Sequence, residues 1–227
     1  MNSLTVVVPF FNEENTIIES ISKLNNFDFI SQILLIDDGS TDDSYKLVEA
    51  FCSDKIKYQL IKLNSNQGKG HALNKSREYI TGKYVVIHDA DLEYNPNDLT
   101  EMFKLIEEDN LVLGSRFIGD KERVNIYLRT FVANKVMSFF FSFINRVRIT
   151  DIATCYKMMP SNYFTDIEYK EKGFSIEIEL MSKFLKKSTK IVEVPISYAG
   201  RTYKDGKKIK AVDGFFYLFN TIKYKFF

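Results

Sequence analysis

The sequence has only two cysteines, four prolines and ten glycines among its 227 residues. Two cysteines cannot form a disulfide framework or a cysteine-built zinc site, and they are typical of a reducing compartment. The few prolines and glycines form no linker or low-complexity stretch. Because no uncharged apolar run reaches about 18 residues, we expect no membrane-spanning helix. The start, at residues 1–9, has no basic segment followed by an apolar one, so we expect no signal peptide.

Net charge is also nearly absent, at +1, but the charges are unevenly distributed. Residues 1–115 contain 10 Lys and Arg against 19 Asp and Glu, whereas residues 116–227 contain 21 against 11. The first half is therefore suited to binding cations and the second to binding anions. A basic half fits nucleic acid, an anionic membrane surface or a phosphorylated acceptor. The alternative is that these charges coat a solvated face.

What the chain does have is a regular alternation of strand and helix patterns. With 45% hydrophobic residues it can bury a large core, and we expect a single domain over residues 1–227. Such an alternation predicts an α/β fold with a mostly parallel central sheet and helices on both faces. The predicted strands are 4–8, 32–36, 56–63, 84–88 and 111–115, and the predicted helices are 13–24, 41–51, 69–80 and 97–108.

An acidic cluster, His88-Asp89-Ala90-Asp91-Leu92-Glu93, follows the apolar run at residues 83–87. That run predicts a buried strand, so the carboxylates fall at the carboxyl end of the sheet, where ligands bind in open α/β folds. Asp89 and Asp91, with Glu93 nearby, repel one another unless a cation is present. Hard oxygen ligands suit Mg²⁺ or Mn²⁺ carrying a diphosphate. The alternative is a solvated loop with an aspartate that caps the next helix.

Three other strand-to-helix turns carry polar residues. At residues 8–14, an aromatic ring could stack on a base and a carboxylate could bind base or ribose; the alternative is a proline turn with acidic residues favoured by the helix dipole. Asp37 or Asp38 could bind base or ribose, with Gly39 providing the tight turn. Residues 66–72 open a helix with glycines, a lysine and free N–H groups, which predicts an anion site.

The second half has a different pattern. Residues 124–144 predict a long, aromatic-rich amphipathic helix suited to a membrane interface, with a core helix as the alternative. The tail, at 214–227, is short, aromatic and weakly basic, and we expect it to lie on a surface. Between them we predict a strand at 156–159, a helix at 176–185 and a strand at 191–194.

The order of these motifs resembles that of the family-2 glycosyltransferases, which have the nucleotide-sugar-binding GT-A fold. The matching motifs are Pro-Phe-Phe-Asn-Glu-Glu, Asp-Asp-Gly-Ser, Asn-x-Gly-Lys-Gly and Asp-Ala-Asp, in that order. Further on, residues 114–117, 150–157, 194–198 and 201–209 resemble the dolichyl-phosphate mannose synthase and polyprenyl-phosphate glycosyltransferase branch. The resemblance implies metal-dependent, inverting transfer of a hexose from a nucleotide sugar, of the GDP-mannose or UDP-glucose type, to a dolichyl or undecaprenyl phosphate.

The resemblance also implies roles for individual residues. Those for the nucleotide sugar are Pro9, Phe11, Glu13, Asp37, Asp38, Lys69, Asp89, Ala90 and Asp91. Those for Mg²⁺ or Mn²⁺ are Asp89, Asp91 and Glu93. Those for the acceptor phosphate and the developing negative charge are Arg116, Arg129, Arg201 and Lys208. The implied catalytic set is Asp89, Asp91, Arg116, Arg129 and Arg201.

The same resemblance divides the chain into a nucleotide-sugar and metal half, 1–115, and an acceptor and membrane-surface half, 116–227. It implies a peripheral protein on the cytoplasmic face of a membrane, with no nucleic-acid partner and room for a separate membrane-embedded partner. Cys155 stands where this branch usually has glycine, and Phe11 where it commonly has tyrosine. The identities of the sugar and nucleotide are therefore left open.

Several alternatives follow from the same residues. A phosphate acceptor is already anionic and needs alignment and charge stabilisation more than a strong base. A saccharide or protein hydroxyl, as in cell-surface polysaccharide synthesis, would need a carboxylate base. Glu177 is a candidate for a sugar hydroxyl or else part of a solvated helix face. Asp37 and Asp38 are also compatible with a non-catalytic signalling module, and the basic half with a nucleic-acid binder, although the chain is long for the first.

Overall fold

A computed structural model describes residues 3–188, 190–201 and 211–227 of the protein, with the backbone alone for 211–213. Nine strands lie within these residues. Their order along the chain matches the predicted alternation in the first half. Their bounds are β1 Leu4–Phe10, β2 Ile30–Asp37, β3 Tyr58–Lys62, β4 Tyr84–Ile87, β5 Asn110–Ser115, β6 Arg123–Val124, β7 Lys157–Pro160, β8 Lys190–Pro195 and β9 Tyr198–Ala199.

The helices cover both faces of the main sheet. A short 3₁₀ turn, Arg77–Tyr79, extends the third of them. Their bounds are α1 Ile17–Leu24, α2 Ser44–Cys52, α3 Lys69–Ser76, α4 Asp98–Leu105, α5 Leu128–Asn145, α6 Ser161–Thr165, α7 Ile176–Leu185 and α8 Ala211–Phe226. Along the part of the chain that the structure describes, no helix is long and apolar enough to cross a membrane.

Seven strands form one sheet in the order β3-β2-β1-β4-β7-β5-β8, and β6 and β9 form a separate pair. The predicted mostly parallel sheet is confirmed, with β7 as its one antiparallel member among the described strands. Since β7 runs against β4, pairing Met158 with Val86, it begins at the edge where β4 ends. This direction brings residues 151–157 beside the acidic cluster.

The core has two layers, one on each face of the sheet. Alternation along β1 divides its side chains, because Val6 and Val8 pack with α1, α2 and α4, whereas Val7 packs with α3, α5, α6, α7 and α8. All seven residues of β1 are buried. The central strand therefore has little freedom to shift, and its carboxyl end provides a fixed edge for the site.

Three helices begin several residues later than predicted: the one predicted from residue 41 starts at Ser44, and two others are shifted by tertiary contacts. The helix predicted from residue 13 starts at Ile17, because Asn12 has a positive φ of 52° and the N–H of Glu13 donates to Ser44 Oγ at 2.8 Å. The helix predicted from residue 124 starts at Leu128, because residues 123–124 pair with β9. In both places a tertiary contact replaces the first helical turns.

Candidate active site

Polar residues from three strand ends meet at the carboxyl edge of the sheet. The turn after β1 carries Phe11 and Glu13, β2 ends in Asp37 followed by Asp38, and β4 leads into the acidic cluster. Pro9 is buried within β1 opposite Ile36, and Ala90 is buried between the two aspartates of the cluster. The parallel register of β1, β2 and β4 is therefore what places the predicted donor-side residues along one edge.

Two aspartates of the acidic cluster are held by different cations. Lys69 Nζ lies 2.7 Å from Asp89 Oδ1, and Arg201 Nη2 lies 2.7 Å from Asp91 Oδ2. Burial alone would raise the pKa of Asp89, but Lys69 lowers it. Burial, followed by the negative charges of Asp89 and Glu93, raises the pKa of Asp91 to about 7. The ionised form of Asp91 is therefore disfavoured, and a further cation bound beside it would favour that form.

Glu93 is turned away from the two aspartates. Its Oε2 accepts a hydrogen bond from Tyr198 Oη at 2.7 Å, and its Oε1 accepts one from the Arg201 N–H at 2.7 Å. Within residues 3–188, 190–201 and 211–227, no three His, Cys, Asp or Glu side chains are grouped so as to hold a metal ion. The predicted three-carboxylate set is therefore not assembled. Asp89 and Asp91 still fit Mg²⁺ or Mn²⁺, which are commonly held by one or two carboxylates together with substrate phosphates.

Arg201 joins the turn after β1 to the acidic cluster. Its guanidinium donates to Glu13 from Nη1 at 3.1 Å and from Nη2 at 3.2 Å, while Nη2 also reaches Asp91. Leu92, the residue after Asp91, has a φ of 62°, which is unusual for a side chain of its size. Arg201 contacts the residue on each side of Leu92: its guanidinium binds Asp91 and its backbone N–H donates to Glu93. These contacts hold the strained loop in place.

The predicted anion site at the start of α3 is wrong in its central feature, the free N–H groups. Asp38 accepts the N–H of Gln67 at 3.2 Å and of Gly68 at 2.6 Å. The carbonyl oxygen of Lys172 accepts the N–H of Gly70 at 2.6 Å and of His71 at 3.3 Å. These four donors are therefore used within the protein, and Lys69 is the positive group that this helix presents to the site.

The predicted acceptor arginines do not form one cluster. Arg116 makes a two-pronged pair with buried Asp151, at 2.7 and 2.9 Å, and its guanidinium lies 4.9 Å from the centre of the Tyr198 ring. Arg129 is exposed in the first turn of α5, and Arg201 lies beside Asp91. Lys208 lies outside the described residues. Arg116 and Arg201 are linked through Tyr198 and Glu93.

Three residues that shape the site, Tyr198, Asp151 and Lys157, lie in the motifs at 150–157 and 194–198 but received no individual role from the sequence. Lys157 is fully buried and bonds to Glu177 Oε2 at 2.6 Å. A lysine in the otherwise apolar run from Tyr156 to Met159 is a sequence signal for a buried ion pair. Glu177 is only 3% exposed, so the alternative that it lies on a solvated helix face is wrong.

Helix α5 has inverted polarity. Its buried positions are mostly polar: Asn134 donates to Asp151 at 2.7 Å, and Ser138 accepts the N–H of Ile152 at 3.0 Å. Its outward positions beyond the first turn are apolar, and α8, which packs against it, has a similar exposed stripe. We call these residues the apolar surface: Val132, Val136, Phe139, Phe143, Phe215, Phe219, Ile222 and Phe226, each at least 43% exposed. Neither a simple core helix nor a water-facing helix explains this pattern.

The carboxyl edge of this open α/β sheet, where ligands bind in such folds, carries acidic residues opposed by arginines and lysines. The sequence pattern of the family called Glycosyl transferase family 2 matches residues 5–167. The chain belongs to this family. It is a glycosyltransferase enzyme with a GT-A-like fold, as the order of its motifs predicted.

Several known proteins are similar to it. Glycosyltransferase AglJ of Haloferax volcanii is 30% identical over 202 residues, which are 88% of this chain and 64% of AglJ. Dolichol-phosphate mannosyltransferase of Pyrococcus furiosus is 24% identical over 209 residues, 90% of this chain and 58% of the relative. The chain thus spans less than two thirds of either relative.

Among solved structures, glucosyl-3-phosphoglycerate synthase of Mycobacterium tuberculosis, in complex with Mn²⁺, UDP and glucosyl-3-phosphoglycerate, superposes with a TM-score of 0.70 at 17% identity. The match covers 99% of this chain and 80% of that one. At this identity the likeness concerns the fold alone.

Proposed function

We propose that the protein is an inverting glycosyltransferase that moves a hexose from a nucleoside-diphosphate sugar to a polyprenyl phosphate, using Mg²⁺ or Mn²⁺. The observation that carries the proposal is that the carboxylates around the site are already paired. Asp151 is held by Arg116, Glu177 by Lys69 and Lys157, and Glu93 by Tyr198. A carboxylate that is bound to a cation or already accepts a short hydrogen bond is a poor general base, and Asp91, whose pKa is raised, would be bound to the metal. The arrangement therefore favours an acceptor that needs no deprotonation.

A phosphate monoester is such an acceptor. One of its anionic oxygens would attack the anomeric carbon from the face opposite the leaving group. A new carbon–oxygen bond forms as the bond to the nucleoside diphosphate breaks, and the electron pair leaves with the diphosphate. This single displacement inverts the anomeric configuration. Arg201 and Arg129 would bind the acceptor phosphate, because the planar fork of arginine fits phosphate oxygens.

On the donor side, Glu13 and Asp38 would bind the nucleoside and Asp89 and Asp91 would face the diphosphate. A divalent cation bound at the two aspartates would stabilise the departing diphosphate as a Lewis acid. Lys69 adds a positive charge beside Asp89. Mn²⁺ and UDP in the structure of the mycobacterial synthase support this part of the proposal, as do the two-carboxylate geometry and the raised pKa of Asp91.

The apolar surface supports a lipid acceptor. Phe139 and Phe143 are each 73% exposed on α5, the helix whose first turn carries Arg129. Phenylalanine on an exposed helix face, bordered by cations such as Lys225, suits the interface of an anionic bilayer. We therefore propose that the protein binds a membrane surface through this face. The name of the Pyrococcus furiosus relative, a dolichol-phosphate mannosyltransferase, agrees with a lipid-phosphate acceptor.

The proposal is tested by incubating the purified protein with a short polyprenyl phosphate, Mn²⁺ or Mg²⁺, and a panel of labelled GDP- and UDP-sugars, then extracting the lipid. We expect label in the lipid phase with one donor, and loss of that label when EDTA replaces the metal. The contrary result is that the donor is hydrolysed, no lipid is labelled, and an added saccharide becomes labelled. That result would show that the acceptor is a hydroxyl group instead.

A further inference from the structure

A row of four alternating charges runs from the acidic cluster into the core. Lys69 Nζ lies 2.7 Å from Asp89 Oδ1 and 2.9 Å from Glu177 Oε1, and Glu177 Oε2 lies 2.6 Å from Lys157 Nζ. Side-chain exposure falls along the row, from 25% at Asp89 to 11% at Lys69, 4% at Glu177 and 0% at Lys157. One end of the row is therefore in the candidate site, and the other is buried between β7 and α7.

The inner end of the row is fixed. The ammonium group of Lys157 donates to the carbonyl oxygens of Ile152 and Thr154 as well as to Glu177. An ammonium group has three N–H donors, so all three are used. Because an uncompensated buried charge is strongly destabilising, Lys157 and Glu177 hold each other in place.

The outer end of the row is shared. The Lys69 ammonium is divided between Asp89, which belongs to the acidic cluster, and Glu177, which does not. Carboxylate oxygens of both residues lie within 2.9 Å of the Lys69 ammonium, and nearby negative charges favour the charged form of a lysine. Lys69 therefore stays positively charged, and its position between the carboxylates decides how fully it neutralises Asp89.

We propose that Glu177, fixed by Lys157, is a positioning residue that shares the Lys69 ammonium and so leaves Asp89 able to bind a divalent cation. Without Glu177, Lys69 would pair with Asp89 alone and compete with the cation for the same oxygens. The inference rests on the proposed function only in assigning the metal to Asp89 and Asp91. It does not depend on the acceptor.

The test is Mn²⁺ binding, followed by electron paramagnetic resonance in the presence of UDP or GDP, whichever the wild type binds more tightly. Glu177→Gln should weaken Mn²⁺ binding about 10-fold, as expected when a group that orients a metal ligand is removed. This variant leaves Lys157 unpaired. The double variant Glu177→Gln/Lys157→Met removes one negative and one positive charge together, and it should show the same weakening although the net charge is unchanged.

The matched control is Glu179→Gln, on the same helix. Glu179 is equally buried and accepts the N–H of Glu171 at 2.7 Å and the Lys183 ammonium at 2.6 Å, outside the row. We expect it to lower the unfolding temperature without weakening Mn²⁺ binding. Unchanged Mn²⁺ affinity in a folded double variant would overturn the positioning role, and so would equal weakening in Glu179→Gln. Absence of Mn²⁺ binding by the wild type would instead overturn the metal assignment itself.

Discussion

The two halves of the chain differ in how their charges are used. Residues 1–115 supply the strand ends, Lys69 and most of the carboxylates at the edge of the sheet, whereas residues 116–227 supply Arg201, which meets two of those carboxylates. Arg201 pairs with Glu13 and Asp91 across more than 100 residues of sequence. The opposite net charges of the halves are thus partly neutralised within the protein, so a ligand enters a site whose charges already have partners.

The halves also differ in what they expose. The helices of the first half turn apolar faces inward, as the buried Ile17, Ile21 and Leu24 of α1 show. In the second half, α5 buries Asn134 and Ser138 and exposes phenylalanines. The first half follows the usual rule that helices turn their apolar faces toward the core. The second half departs from this rule at α5, where we propose that the acceptor and the membrane bind.

The largest effect is expected from Asp91→Asn, which removes a donor-side carboxylate. Transfer should fall about 1,000-fold or more, because the charge stabilisation supplied by a bound metal is lost. The fold should survive. The folded-state pKa of about 7 exceeds the ordinary value of 3.8, so protonated Asp91 favours the folded state, and this stabilisation is lost as pH rises between those values.

Thermal unfolding in EDTA checks this second point. The stability of Asp91→Asn relative to wild type should increase as pH rises from about 4 to about 7. A stability difference that stays constant, or that shifts in favour of wild type as the pH rises across this range, would contradict the assignment. So would wild-type turnover by the variant.

Substitutions of Arg116 and Arg129 should have different effects, because the first has a structural role and we propose that the second faces the ligand. Arg116→Ala leaves buried Asp151 without its two-pronged partner, which should lower the free energy of unfolding by about 3 to 5 kcal/mol. Exposed Arg129→Ala should change it by less than about 0.5 kcal/mol while weakening use of the acceptor. Urea unfolding and acceptor titration measure the two effects. Equal stability losses would remove the distinction.

Arg201 tests the contact between the halves. Arg201→Lys keeps the charge but loses the planar fork, and kcat/KM for polyprenyl phosphate should fall about 100-fold, comparable to the loss of two charge-assisted hydrogen bonds. The dissociation constant of the donor, measured by calorimetry, should change much less. A larger change in donor binding than in acceptor use would place Arg201 on the donor side.

The smallest effect is expected at the apolar surface. Phe139→Ser and Phe143→Ser should each weaken binding to vesicles containing phosphatidylglycerol about 10-fold, since burying a phenylalanine contributes about 1.5 to 3 kcal/mol. Leu47→Ser is the matched control, because Leu47 is an exposed apolar residue on α2 of the first half. Sedimentation with vesicles measures both. Equal losses in control and test variants would indicate nonspecific adsorption.

The first half was predictable because short apolar runs and helical patterns are local. The apolar run before His88 marks a buried strand, and parallel strands place their ends on one edge, so Asp38, Asp89 and Asp91 could be expected along that edge. The antiparallel direction of β7 was not predictable, because direction depends on where the chain re-enters the sheet. Lys157 and Asp151 were missed for the same reason.

Side-chain pairing was the other gap. The order of motifs indicated Arg116 and Arg201 together, but residue types alone do not say that Asp151 takes the first and Asp91 the second. Glu93 follows Asp91 in the same loop, yet the positive φ of Leu92 turns it toward Tyr198. Such details depend on backbone geometry at single residues, which a sequence pattern does not determine.

The central claim is that the acceptor is a phosphate that needs no general base, and one comparison tests it directly. The purified protein is given its labelled donor and either a short polyprenyl phosphate or the matching polyprenol, which differs only in lacking the phosphate. Because the carboxylates are paired, we predict transfer to the phosphate and a rate of transfer to the alcohol that is at least about 100-fold lower. A general base typically contributes a factor of about 100 or more to the rate, and the alcohol would lack that contribution. Equal transfer to both lipids, or transfer to the alcohol alone, would contradict the account.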